Sequence, residues 1–122
     1  MEGPIMRRLK ILAIEPDEEV KVLYSSYLSA RSHLVQTMSS ISYELDASDY
    51  DVVIVHSEEI KQHIVGIPFD KLIVAGNHPS AHYDGNWAIT KPFHMEELSE
   101  VLEIIADPTA SINKISADRI LQ

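Results

Sequence analysis

The sequence has no cysteine, so disulfide bonding and thiolate chemistry are both excluded. It is also poor in positive charge. Ten Lys and Arg stand against 19 Asp and Glu, giving a net charge of −9. A nucleic-acid-binding chain needs a basic footprint to neutralise phosphates. The only basic cluster, Arg7, Arg8 and Lys10, reads as a solvated lead-in to a strand. No apolar run approaches the ~20 residues that cross a bilayer. The opening "MEGPIMRRLK" carries no signal-type apolar stretch, which sets the expectation of a cytoplasmic protein. Glycine is scarce, at four residues, and none lies in "EPDEE", the acidic turn that follows the first apolar run. A glycine-rich phosphate loop is therefore missing where a nucleotide-binding fold would place it.

What remains is a chain of 122 residues, 45% hydrophobic and 24% charged, the size and balance of one domain with a real core. Short apolar runs at 10–14, 33–38, 51–55, 71–75 and 87–90 predict strands, and the run at 51–55, "DVVIV", is the clearest. Between them lie helical patterns. Asp17 is placed to cap a helix to about 30, with Glu18 and Glu19 in the first turn, where the helix dipole favours acids. Val20, Leu23, Tyr24, Tyr27 and Leu28 recur at helical spacing, and Tyr24 and Tyr27 read as packing residues. A short helix is expected near 41–45 and another at 57–65, capped by Ser57 and ended by Gly66 and Pro68. The last helix is expected at 95–105. Leu98, Val101, Leu102 and Ile105 form its apolar stripe, and Glu96, Glu97, Glu100 and Glu103 its wet face.

Residues 76–85 are rich in turn formers, and 107–122 form a tail that can hold a helical turn or two. Strands alternating with helices imply a parallel sheet with crossover helices on both faces. In such sheets the functional crevice lies beyond the carboxyl ends of the strands. Glu15 to Asp17, His56 and Ser57, Ala75 to Asn77, and Lys91 meet there.

At those positions the chain resembles the receiver domain of two-component response regulators. Three stretches carry the resemblance: "KILAIEPDEEVKVLYSSYL" (10–28), "YDVVIVH" (50–56) and "WAITKPFHMEELSEVLEII" (87–105). They cover about 10–105. The resemblance implies a doubly wound, flavodoxin-like α/β fold with strand order 2-1-3-4-5 and shortened middle helices. It implies a receiver-like domain over 8–106, followed by the tail.

The resemblance also implies a site. In the family a carboxylate ending the third strand accepts a phosphoryl group. Acids after the first strand hold Mg²⁺. A lysine from the fifth strand pairs with the phosphate. A hydroxyl after the fourth strand and an aromatic on the fifth read out the change. This sequence departs at most of these points. His56 stands at the acceptor position, and the acidic pair is Glu15-Pro16. The hydroxyl position falls on Ala75 or Gly76, and the aromatic position on Ala88. Lys91, with Pro92 after it, is retained, and in the family that proline commonly follows a cis bond.

His56 has several readings: a phosphohistidine, a metal ligand, a pH-sensing group, or a structural residue that fills the old acid pocket and bonds a neighbouring carboxylate. Lys91 reads as a cation that neutralises Glu15 and Asp17, the remnant acidic pocket. His78, His82 and Asp84 have the spacing of a metal site in a turn-rich setting that does not support one.

The expectation is a non-enzymatic, phosphorelay-type module without cofactor, Mg²⁺ included. It would bind a protein partner, a histidine kinase or a downstream effector. It could also bind itself as a homodimer, through the last strand and helix. One alternative keeps weak Mg²⁺-dependent phosphoryl acceptance through Glu15 and Asp17. Another is a small flavodoxin-like ligand-binding protein.

Overall fold

A computed structural model describes residues 8–41, 43–76 and 86–106. The readings of His78, His82 and Asp84 and of the 107–122 tail lie outside the described residues.

Five short apolar runs become five parallel strands. β1 (Lys10–Ile14), β2 (Leu34–Met38), β4 (Val52–Val55), β6 (Leu72–Gly76) and β7 (Trp87–Thr90) form one sheet in the order β2-β1-β4-β6-β7. The three central strands are almost wholly buried, which is why their sequences are continuous rather than alternating. The protein is thus α/β with an all-parallel five-stranded central sheet, an architecture compatible with a flavodoxin-like fold.

Alternate residues of each strand face opposite ways. Ile11, Ala13, Val52, Ile54, Ile73 and Ala75 pack against helix α1 (Glu18–Ala30) and helix α3 (Met95–Ala106) through Tyr24, Leu28, Leu98, Leu102 and Ile105. The α1 start follows from its sequence. The Asp17 carboxylate accepts the Glu19 and Val20 N–H groups at 2.9 and 3.3 Å. The α1 end is a Schellman turn, in which His33 N–H returns to Leu28 and Ser32 N–H to Ser29. Ser32 takes the left-handed conformation there, with φ 74°. The wet face of α3 is as expected, with Glu96, Glu97, Glu100 and Glu103 all exposed.

The second face of the sheet departs from the expectation. The segment near 41–45 is not a helix, and the helix begun at Ser57 lasts one turn, α2 (Glu58–Lys61). Ser57 does cap it, accepting the Ile60 N–H at 3.3 Å. The chain then forms β5 (Ile64–Val65), which pairs in parallel with β3 (Leu45–Asp46) as a second small sheet. Two bonds of 2.7 Å flank the pairing, from Leu45 N–H to His63 and from Ala47 N–H to Val65. Ile64 and Leu45 are β-prone or apolar residues that gain more from covering Leu12, Ile14, Val53, Val55 and Val74 than from a helix face. Gly66, at φ 83°, lets the backbone turn where a Cβ would come within 2.3 Å of the Asp46 carboxylate.

The peptide bond between Lys91 and Pro92 is cis. Among the described residues, no helix is long and apolar enough to cross a membrane.

Candidate functional site

The carboxyl ends of β1, β4, β6 and β7 bring together Glu15, His56, Gly76 and Lys91. Strand register explains the meeting. Ile14 lies beside Val55, Val55 beside Val74, and Gly76 beside Thr90, so the residues that follow converge on one edge. Lys91 extends this ladder, donating its N–H to the Gly76 carbonyl at 2.8 Å.

Glu15 is 2% exposed. Its N–H donates to the Met38 carbonyl at 2.8 Å, which fixes the backbone just past β1. One carboxylate oxygen, Oε2, accepts the Asp17 N–H at 3.1 Å. The other, Oε1, receives the Lys91 ammonium in a direct ion pair. A nearly buried carboxylate requires such compensation, because an unpaired charge there would carry a large desolvation penalty. The expected neutralising role of Lys91 is thus found for Glu15.

Asp17 stands in a different state. It is exposed, and its Oδ1 is engaged by the α1 N-terminus. Pro16, between the two acids, offers no side-chain oxygen. Mg²⁺ needs several oxygen ligands in near-octahedral geometry. Glu15 already engages both of its oxygens, with Lys91 and with the Asp17 N–H, while Asp17 holds the α1 start through Oδ1. Among the described residues, no group of three or more His, Asp or Glu side chains gathers as a metal site requires.

His56 is half-buried past β4. Its ring makes no hydrogen bond to a described residue, so the expected bond to a neighbouring carboxylate is not found. Lys91, not His56, satisfies Glu15. The backbone of His56 is more constrained than its ring. A Cβ on Gly76 would approach the His56 carbonyl to 2.7 Å, so glycine keeps β6 close to β4 here. Ala75 is fully buried in the first-face core. Neither Ala75 nor Gly76 brings a hydroxyl to the crevice. Trp87 packs with Ile89 on the first face, while Ala88 points to the second. The Trp87 indole N–H donates to the Asp70 carbonyl at 2.9 Å, far along the strand from Lys91.

Tyr24 packs as its helical spacing predicts, and its polar end adds a feature the spacing does not show. The side chain is 1% exposed, and its hydroxyl has no hydrogen-bond partner among the described residues. Burial, reinforced by the Glu15 charge, pushes its pKa well above the usual tyrosine value. Its ring stacks on Phe93 with centroids 6.4 Å apart. Phe93 also lines a hollow of about 270 Å³ with Val20, Leu23, Pro92, Met95 and Lys91. Apart from the lysine, that hollow is apolar.

The cation is paired, the buried acid is compensated, the exposed acid caps a helix, and the imidazole bonds no described residue. Comparison with protein-family models gives no match, and comparisons with curated proteins and with solved structures give none either.

Proposed function

We propose that this chain is a degenerate, receiver-like signalling module of flavodoxin type, which binds a protein partner and does not accept a phosphoryl group. One observation supports this above the rest. The acid and the lysine that phosphoryl chemistry would require are bonded to each other, Glu15 to Lys91, while Asp17 holds the helix start. Phosphoryl transfer rests on positioned cations and metal-held oxygens. Here the cation is engaged and Pro16 interrupts the metal ligands. His56 occupies the acceptor position, and no described residue bonds its ring to orient it.

The partner surface in this reading is the β7–α3 side, with Phe93 and the helix beyond it. Glu96, Glu97, Glu100 and Glu103 are exposed there, so the partner presents a basic face. A histidine kinase or a downstream effector of a phosphorelay fits that role, and a cytoplasmic setting belongs to the same proposal.

The experiment is incubation with acetyl phosphate and Mg²⁺, followed by intact-mass spectrometry. The expected result is an unmodified chain. Stoichiometric phosphate on His56 or Asp17 sinks the proposal and favours the Mg²⁺-dependent alternative. The hollow beside Lys91 is the observation that favours the ligand-binding alternative. Its volume falls just below the roughly 300–1,000 Å³ of ligand pockets. Native mass spectrometry of the purified protein, with and without organic extraction, decides that reading.

A further inference from the structure

We infer that two copies of this chain associate through their β2 strands, joining their sheets edge to edge in antiparallel fashion. β2 terminates the sheet and pairs only with β1 among the described residues. Leu34 N–H donates to Leu9, and the Met38 carbonyl accepts from Glu15. In a parallel ladder the residues bonded to the neighbour alternate. Leu34, Gln36 and Met38 therefore face β1, and Val35 and Thr37 turn their N–H and carbonyl groups outward.

Exposed edges are normally protected by lysine, proline, a bulge or extreme shortness. β2, "LVQTM", has none of these. It is five residues long, uncharged and proline-free, and its register with β1 is unbroken. Its first residue, Leu34, is 48% exposed.

Charge selects a second copy as the occupant. At a net charge of −9, two copies repel wherever acidic surfaces meet. The glutamate face of α3 would set acid against acid. The run from Leu34 to Ser40 has no charged residue, so the paired strands themselves set no like charges against each other.

The sequence is also self-complementary in one register. A two-fold axis at Gln36 places Val35 of each copy opposite Thr37 of the other. These are the residues with outward main-chain groups, so each pair exchanges both hydrogen bonds. The same register puts Leu34 against Met38 of the second copy. Both lie on the second face of the sheet, so the exposed leucine gains an apolar neighbour. Such an isologous contact closes as a dimer and leaves no free β2 edge.

The proposal is independent of the phosphoryl reading, and its test does not involve that site. Sedimentation velocity across the micromolar range should show a dimer for the full chain. Thr37→Pro removes an outward N–H without touching the β1 ladder, and should give a monomer with an unchanged far-UV spectrum. The absence of native cysteine allows a second, fold-independent test. In the proposed register the two Gln36 Cα atoms lie about 4.5 Å apart as a non-hydrogen-bonded pair, within the range a disulfide spans. Gln36→Cys should therefore form a disulfide-linked dimer on mild oxidation, and Glu100→Cys on α3 should not. A full chain that sediments as a monomer throughout overturns the inference, as does a dimer that survives Thr37→Pro. If Thr37→Pro unfolds, Gln36→Cys decides: selective cross-linking supports the interface, and cross-linking no faster than that of Glu100→Cys refutes it.

Discussion

Replacing Lys91 with methionine keeps the unbranched apolar stem of the side chain and removes its ammonium group. Glu15, 2% exposed, would then hold a carboxylate with a single hydrogen bond, from the Asp17 N–H. Removing one partner of a buried ion pair costs about 3–5 kcal/mol. The lysine side chain is 23% exposed, so part of the pair is already screened by water. Together with the surviving bond, that lowers the expected loss to about 2–3 kcal/mol. For a chain of this length that loss is a fall of about 10 °C in Tm. Glu15→Gln alone should cost less, about 1 kcal/mol, because the neutral amide still accepts from Asp17 and the freed ammonium can turn to solvent. The double variant should lie within about 1 kcal/mol of the parent, since no unpaired charge remains. Urea denaturation of the four proteins closes a double-mutant cycle with a coupling of about 3 kcal/mol. Additive single effects, with a coupling under about 0.5 kcal/mol, would refute the reasoning that Glu15 depends on Lys91.

Gly76→Ala should destabilise by about 1–3 kcal/mol in the same assay, because its Cβ would meet the rigid His56 carbonyl at 2.7 Å; a loss under about 0.5 kcal/mol would show that the β4–β6 contact yields. Tyr24→Phe removes a buried hydroxyl that has no partner among the described residues. Stability should stay level or rise by up to about 1 kcal/mol, and a loss larger than that would reveal an unseen hydrogen bond. His33 accepts the Leu9 N–H through Nδ1 at 3.0 Å, which requires a neutral ring, and burial, with Arg31 nearby, lowers its pKa. Its folded pKa thus lies below its unfolded value, near 6.5. Stability from this group is full above that pH and is lost as pH falls through it toward the folded value. Urea midpoints at mildly alkaline and mildly acidic pH should therefore differ more for the parent than for His33→Gln, and equal differences would contradict the linkage.

The central sheet was legible because its strands are buried on both faces, so each appears as an uninterrupted apolar run. The Asp17 cap was legible because its chemistry is local. The cover of the second face was not. β3 and β5 have two residues each, too few for any period to show, and each exists only because the other is there to pair with it. The one-turn α2 began where Ser57 predicted, but nothing local marks Gln62 as its end. At the candidate site, the acids and Lys91 were found by position at the strand ends. The pairing of Glu15 with Lys91, 76 residues away, was legible as charge balance, whereas its exclusivity was not. Asp17 satisfies a helix end instead, and His56 finds no carboxylate among the described residues. The isolation of the Tyr24 hydroxyl is not legible in the sequence, because a tyrosine at helical spacing signals only packing. Its isolation depends on what the sheet places above it.

The central claim is that the crevice is closed by its own residues and takes up neither Mg²⁺ nor a phosphoryl group. Trp87 lies too far along β7 to report on it, bonded to Asp70. Backbone amide NMR reads the site directly. Mg²⁺ is titrated into the protein, followed by acetyl phosphate, while the Asp17, His56 and Lys91 amide signals are tracked. The account predicts that these three stay in place at both steps, with only the weak, non-saturating drifts of exposed acidic residues elsewhere. Saturable shifts of Asp17 and Lys91 with Mg²⁺, followed by a further change at His56 with acetyl phosphate, would contradict it.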